Sequence, residues 1–209
     1  MLAEHALVVA LEGPSYSGKS TLASCLVDSY APHAALLPCY VDVAGGDAAV
    51  PPAFPADVAA EMAALEQFVA IDDRRWQQQS ASIEAGLVVV VDRCWLSLLA
   101  HVYALERTGG PDAFEAALAL LQTQDMIRPD LVLYLSLSEQ DRVARVPDGY
   151  HDRWYLDPAF NRQIDRFFRE VASDLAGVPI VSLDAGGASD EVCAQAKAAI
   201  ETQLKQVSR

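Results

Sequence analysis

Apolar runs of strand length recur along the chain at Ala6–Leu11, Ala35–Val43, Leu87–Val91, Leu131–Leu137 and Pro179–Leu183. Each gap between them is long enough to hold a helix, and that alternation predicts an α/β fold built on a parallel sheet. Strands of such a sheet are covered on both faces by crossover helices. This explains why Leu87–Val91 is apolar throughout instead of alternating.

Between the second and third runs, a Pro/Gly-rich loop from Gly45 to Pro55 precedes a long helical pattern from about Ala56 to Glu84. Its apolar positions Val58, Met62, Leu65, Val69, Trp76 and Ile83 fall on one stripe. Asp72 lies on that same stripe, so it either faces a polar cavity or marks a break in the helix. Further helices are expected over Trp95–Arg107, Asp112–Gln124, Ser138–Arg145, Pro158–Leu175 and Ser189–Val207. Ser138 with Asp141 resembles a helix cap, and Gly177 sits where a C-cap glycine is expected. No internal repeat interrupts the pattern, and residues 1–209 read as a single domain.

Composition narrows the function. The chain has 29 acidic against 15 basic residues, a formal charge of −14, which argues against nucleic-acid or anionic-membrane partners. With 52% apolar and 21% charged residues it has ample material for a core and is not disordered. No apolar run reaches the roughly 18 residues of a membrane span, and no basic segment precedes the short apolar N-terminal stretch; a soluble, cytoplasmic protein is expected. Cys25, Cys39, Cys94 and Cys193 are far apart and match no zinc spacing, which fits reduced, structural thiols.

The strongest chemical motif is Gly13-Pro14-Ser15-Tyr16-Ser17-Gly18-Lys19-Ser20-Thr21, a complete G-x-x-x-x-G-K-S between an expected strand and a helical segment. Its backbone amides suit phosphate oxygens, Lys19 suits the β and γ phosphates of ATP, and the Ser20 hydroxyl suits Mg²⁺. A second motif, Val88–Val91 followed by Asp92-Arg93, delivers a carboxylate to the C-terminal end of a strand, where α/β sheets bind ligands. Asp92 is therefore a candidate for the Mg²⁺ shell, and Arg93 for a phosphate clamp. The alternative for this pair is a helix-capping Asp beside a solvated Arg. The lone asparagine, Asn161, is followed by Arg162, so the Asn-Lys-x-Asp element of guanine-specific switches is missing. Small-molecule phosphoryl transfer is the leading class.

On these residues the chain resembles the thymidylate kinase group of P-loop kinases and, more distantly, the deoxynucleoside kinases. The matching segments are Leu11-Glu-Gly13 opening the phosphate loop, Asp92-Arg-Cys-Trp-Leu-Ser97-Leu-Leu-Ala100-His101, Arg128-Pro-Asp130-Leu-Val-Leu-Tyr-Leu135 and Ser182-Leu-Asp-Ala185. The resemblance implies a P-loop kinase fold with a five-stranded parallel sheet, helices on both faces and an arginine-bearing lid at about 142–157. It also implies ATP with Mg²⁺, a small-molecule acceptor bound by region 40–85 with Ser97, and a homodimer. The lid candidates are Arg142, Arg145 and Arg153.

Departures from the family bear on the acceptor. Tyr40-Val-Asp42-Val-Ala-Gly45-Gly46-Asp47 keeps an acid and paired glycines but lacks the family's arginine, and no Lys or Arg occurs between Ser20 and Asp73. Arg74, Arg75 and Arg93 are the cations available to an acceptor phosphate, against Asp42, Asp47, Asp57, Glu61, Glu66 and Asp72. A hydroxyl acceptor must lose a proton, and Asp42 is the expected base at the end of the second strand, the alternative being a loop cap. The reading is an ATP-dependent kinase acting on a hydroxyl of a nucleoside or similar metabolite. The rivals are a nucleoside monophosphate kinase and a non-catalytic ATP-binding regulatory protein.

Overall fold

The computed structural model describes residues 6–85, 88–148 and 154–207. Strands β1 (Leu7–Glu12), β2 (Ala34–Leu37), β3 (Val88–Asp92), β4 (Leu131–Ser136) and β5 (Ile180–Asp184) form one sheet in the order β2-β3-β1-β4-β5. Every pairing is parallel, with Leu7 beside Val88 and Val9 beside Leu131. The two-residue period of the pleat sends alternate side chains to opposite faces. Val8, Ala10, Val89, Val91, Val132 and Tyr134 face one core, while Leu7, Val9, Leu11, Val88, Val90 and Leu133 face the other.

Helices α1 (Lys19–Tyr30) and α9 (Ser189–Val207) cover the second face. The first is covered by α2 (Tyr40–Ala44), α3 (Val58–Ala85), α4 (Trp95–Arg107), α5 (Phe114–Thr123), α7 (Pro158–Glu170) and α8 (Ala172–Ala176), with α6 (Glu139–Ala144) following β4. Ser138 caps α6 as expected, its hydroxyl accepting from the Asp141 amide at 3.1 Å. Asp157 caps α7 in the same way through the Phe160 amide at 2.7 Å, ahead of Pro158. Among the described residues no helix is long and apolar enough to cross a membrane.

Three expectations are corrected. The apolar run Ala35–Val43 is not one strand: β2 ends at Leu37, ahead of Pro38, which has no N–H for a ladder, and Tyr40–Ala44 turn into α2, closed by Gly45 in the left-handed region. The helix expected over Pro158–Leu175 breaks at Val171, whose φ of −123° is not helical, and the second piece ends on Gly177. The cysteines are not all thiols. Cys25 of α1 and Cys193 of α9 are disulfide-bonded with Cα atoms 6.5 Å apart, because the two helices lie side by side on one sheet face, whereas Cys39 and Cys94 are free.

Candidate active site

The loop from Gly13 to Gly18 leaves the end of β1 and opens directly into α1. Gly13 has a φ of +140°, and a Cβ there would lie 2.6 Å from the Leu135 carbonyl oxygen, so both conformation and space demand glycine. The first-turn amides of α1 have no intrahelical partner and supply an anion-binding end. Lys19 folds back over the loop, its Nζ donating to the carbonyls of Pro14 at 2.8 Å and Gly13 at 3.2 Å. Burial, helped by the Arg93 charge and opposed by Asp92 and Glu12, pushes its pKa down to about 7. A polyphosphate would supply the negative charge that this ammonium lacks.

The Ser20 hydroxyl donates to Asp92 Oδ2 at 3.3 Å, and Oδ1 of Asp92 is buried with no hydrogen-bond partner among the described residues. A hydroxyl and an unsatisfied carboxylate oxygen side by side are the hard donors that Mg²⁺ takes, so these residues fit the ion. No group of three or more His, Cys, Asp or Glu among the described residues could hold a metal by itself.

Two cavities meet on this loop. One, of about 540 Å³, is lined by residues 16–22 together with Leu135, Arg145, Ala185 and Gly187. Arg145, at the C-terminal end of α6, donates to the Ala185 carbonyl at 2.6 Å, which holds its guanidinium over the loop and 4.0 Å from where a Gly18 Cβ would be. The other cavity, of about 470 Å³, is lined by Gly13, Pro14 and Ser15 of the same loop and by Arg93, Ser97 and Glu61. Its wall is aromatic, with Tyr40, Phe68, His101, Trp154, Tyr155 and Phe160.

Arg93 adopts a φ of +68°, an uncommon conformation for a side-chain-bearing residue. Its N–H donates to the Leu11 carbonyl at 3.1 Å and its carbonyl accepts from Arg75 at 2.9 Å, which together hold the strain in place. The guanidinium donates to Ser97 Oγ at 3.3 Å, and the Ser97 hydroxyl in turn donates to the Glu12 carboxylate. Glu12 also accepts from the Cys94 amide at 2.8 Å and is fully buried, which raises its pKa against the pull of Arg93. His101, its pKa lowered by burial, uses Nε2–H to donate to the Ala53 carbonyl at 2.8 Å and so ties the 51–55 loop to the cavity wall.

The structure brings Lys19, Ser20, Asp92, Arg93 and Ser97 together with the loop, and Arg145 into the cavity lined by residues 16–22. Other expected residues lie elsewhere. Asp42 is exposed on α2 and does not line the cavity; the turn that replaces the strand sends Tyr40 and Val41 there instead. Arg74 is exposed on α3. Arg75 has no exposure. It donates to the Pro38 carbonyl (2.7 Å), Asp72 (2.9 Å), the Asp92 carbonyl (3.0 Å) and the Arg93 carbonyl (2.9 Å), and lies 4.2 Å above the Tyr40 ring. Asp72 marks neither a break nor the cavity: it pairs with Arg75 and accepts from the Ile127 amide at 3.2 Å. Arg142 is 2% exposed and donates to the Tyr155 carbonyl at 3.2 Å, fastening α6 to the turn at Trp154–Leu156 instead of lining either cavity. Arg153 lies outside the described residues.

Sequence reasoning missed Glu12 and the aromatic wall. The signal for Glu12 was present, a charged residue ending the otherwise apolar run Leu7-Val-Val-Ala-Leu-Glu12. The wall had none, because it is assembled from α2, α3, α4, α7 and the turn at Trp154–Leu156.

The fold is that of the P-loop kinases. It matches a thymidylate kinase from Candida albicans with a TM-score of 0.68 at 21% identity, covering 95% of this chain and 92% of that one. It matches deoxyadenosine kinase from M. mycoides with bound dCTP at 0.58 and 13% identity, and the same enzyme with products dCMP and dCDP at 0.64 and 12%; each covers 94% of this chain and 100% of the other. No protein-family model matches the chain, and no curated protein matches it by sequence.

Proposed function

We propose that this protein is an ATP- and Mg²⁺-dependent kinase that phosphorylates a hydroxyl of a nucleoside or a similar small metabolite. The observation that carries the reading is the pair of cavities sharing one phosphate loop, residues 16–22 lining one and residues 13–15 the other. A triphosphate held from one side would present its terminal phosphoryl group to whatever fills the other. When bound, Mg²⁺ neutralises developing charge on the phosphates from the position offered by Ser20 and Asp92.

Lys19 contributes an ammonium at the loop, and Arg145 holds the nucleotide side. Arg93, fixed by Ser97 and Glu12, orients the acceptor hydroxyl at the mouth of the second cavity. The aromatic wall excludes water that would otherwise take the phosphoryl group. Arg93 is the one arginine lining that cavity among the described residues, and no lysine joins it. A dianionic phosphate would be under-neutralised there, which favours a hydroxyl acceptor. The likeness to a thymidylate kinase supports the second reading, a nucleoside monophosphate acceptor. A cytoplasmic setting, which supplies ATP, belongs to the same proposal.

The test is acceptor-dependent ADP release over a panel of nucleosides, nucleoside monophosphates and hydroxylated amines, with Lys19→Ala as control. Turnover of a hydroxyl acceptor that Lys19→Ala abolishes is expected. Turnover of monophosphates alone moves the assignment to the second reading, and release with no acceptor in the panel refutes both.

A further inference from the structure

Glu61 stands apart from the other buried carboxylates. Glu12 is satisfied by Cys94 and Ser97, and Asp72 by Arg75 and Ile127, while Asp92, whose Oδ1 is free, accepts from the Ser20 hydroxyl through Oδ2 beside the loop. Glu61 is 3% exposed, lines the second cavity, and its Oε2 has no hydrogen-bond partner among the described residues. It sits in the first turn of α3, yet capping does not explain it. Asp57 already serves that end, accepting from the Ala60 amide at 2.8 Å.

A buried carboxylate oxygen without a donor costs free energy that a ligand can return. The surrounding wall specifies the rest. Tyr40 and Phe68 meet edge to face at 5.6 Å, and Leu65 and Ala64 line the same cavity, so these groups offer Glu61 aromatic and apolar surface but, among the described residues, no cation. Arg93, the one arginine lining the cavity among the described residues, is engaged with Ser97.

Resting on the kinase reading, we infer that Glu61 is the specificity-determining residue of the acceptor cavity and that it accepts a hydrogen bond from an amino group on the acceptor, distinct from the hydroxyl that is phosphorylated. The acceptor class is a hydroxylated molecule with a planar or apolar body and an N–H donor, either an amino-bearing nucleobase or an aliphatic ammonium. Aromatic faces suit both, by stacking or by cation–π contact.

Two matched pairs separate these sources. Deoxyadenosine against purine 2′-deoxyriboside, which has no base N–H, tests a base amino group, and phenylalaninol against 3-phenylpropan-1-ol tests an ammonium. Each compound is titrated calorimetrically into the full-length protein without ATP, so the readout does not depend on transfer. In at least one pair the amino member should bind about tenfold or more tightly, as for a site built to meet a donor. That preference should fall to within about threefold in Glu61→Leu, while ADP binding is kept. Should Glu61→Leu fail to fold, Glu61→Met, which keeps the side-chain length but has no carboxylate oxygen, carries the test with the same loss of preference in either pair.

Equal binding within both pairs, no binding of any of the four compounds, or a preference unchanged in the variant overturns the inference. A preference that depends on Glu61 in a protein that releases no ADP with any acceptor sustains this inference and removes the kinase reading. Equal turnover of acceptors with and without an amino group does the reverse.

Discussion

Replacing Arg75 with Met tests the correction that the fold makes to the sequence reading. Methionine keeps the buried stem but removes the guanidinium, and with it four hydrogen bonds of 2.7–3.0 Å to Pro38, Asp72, Asp92 and Arg93 and the contact over Tyr40. The Asp72 side chain left behind is 5% exposed and keeps the Ile127 amide as a donor. Breaking a buried ion pair by deleting one partner costs about 3–5 kcal/mol, and the three stranded carbonyls place this case at the upper end. For a chain of this length that corresponds to a fall in Tm of roughly 6–20 °C.

Urea unfolding followed by circular dichroism at pH 7 measures the loss directly, and Asp72→Asn in the Arg75→Met background should recover about 2 kcal/mol by removing the unpaired charge. The pH dependence has a definite sign. Burial already raises the Asp72 pKa, and losing Arg75 raises it further, so the folded variant binds more protons than the unfolded chain above the ordinary carboxylate range. Its stability is lost as pH rises through that window, and its deficit against the parent should be smaller at pH 5 than at pH 8. A loss below about 1 kcal/mol, accompanied by a raised KM for the acceptor, would refute the fastening role and return Arg75 to the acceptor site.

Asp92→Asn should lower turnover by about 10²-fold or more and raise the Mg²⁺ concentration needed for half-maximal rate, while leaving the fold intact; unchanged Mg²⁺ dependence would make Asp92 a structural cap. His101 is held neutral by burial, its pKa below that of the unfolded chain, so its contribution is present above pH 6.5 and lost on acidification. His101→Gln, which retains a donor for the Ala53 carbonyl, should therefore lose less stability between pH 7.5 and 5.5 than the parent in urea titrations. Thiol titration of the denatured, unreduced protein should find two groups, Cys39 and Cys94, and four after reduction; four before reduction would contradict the Cys25–Cys193 bond.

Local chemistry made much of this protein legible in its sequence. The phosphate loop is a contiguous segment whose glycines, lysine and serine act through the backbone they sit on, so reading them needs no tertiary information. The four consecutive valines of β3 announced a sheet covered on both faces, and Asp92 at its end was expected at the ligand-binding edge because parallel sheets bind ligands there. Tertiary structure decided what the charged residues beyond that edge do. Arg74 and Arg75 are neighbours of identical type, yet one is solvated and the other is sealed between the ends of β2 and β3. The difference is a 100° step around α3, invisible until the helix is docked on its sheet. Asp42 moved out of the site because one proline ended β2 early, and Cys25 found Cys193 because α1 and α9 share a face. Each of these outcomes depends on which surfaces pack together, a property of the assembled chain that no local window contains.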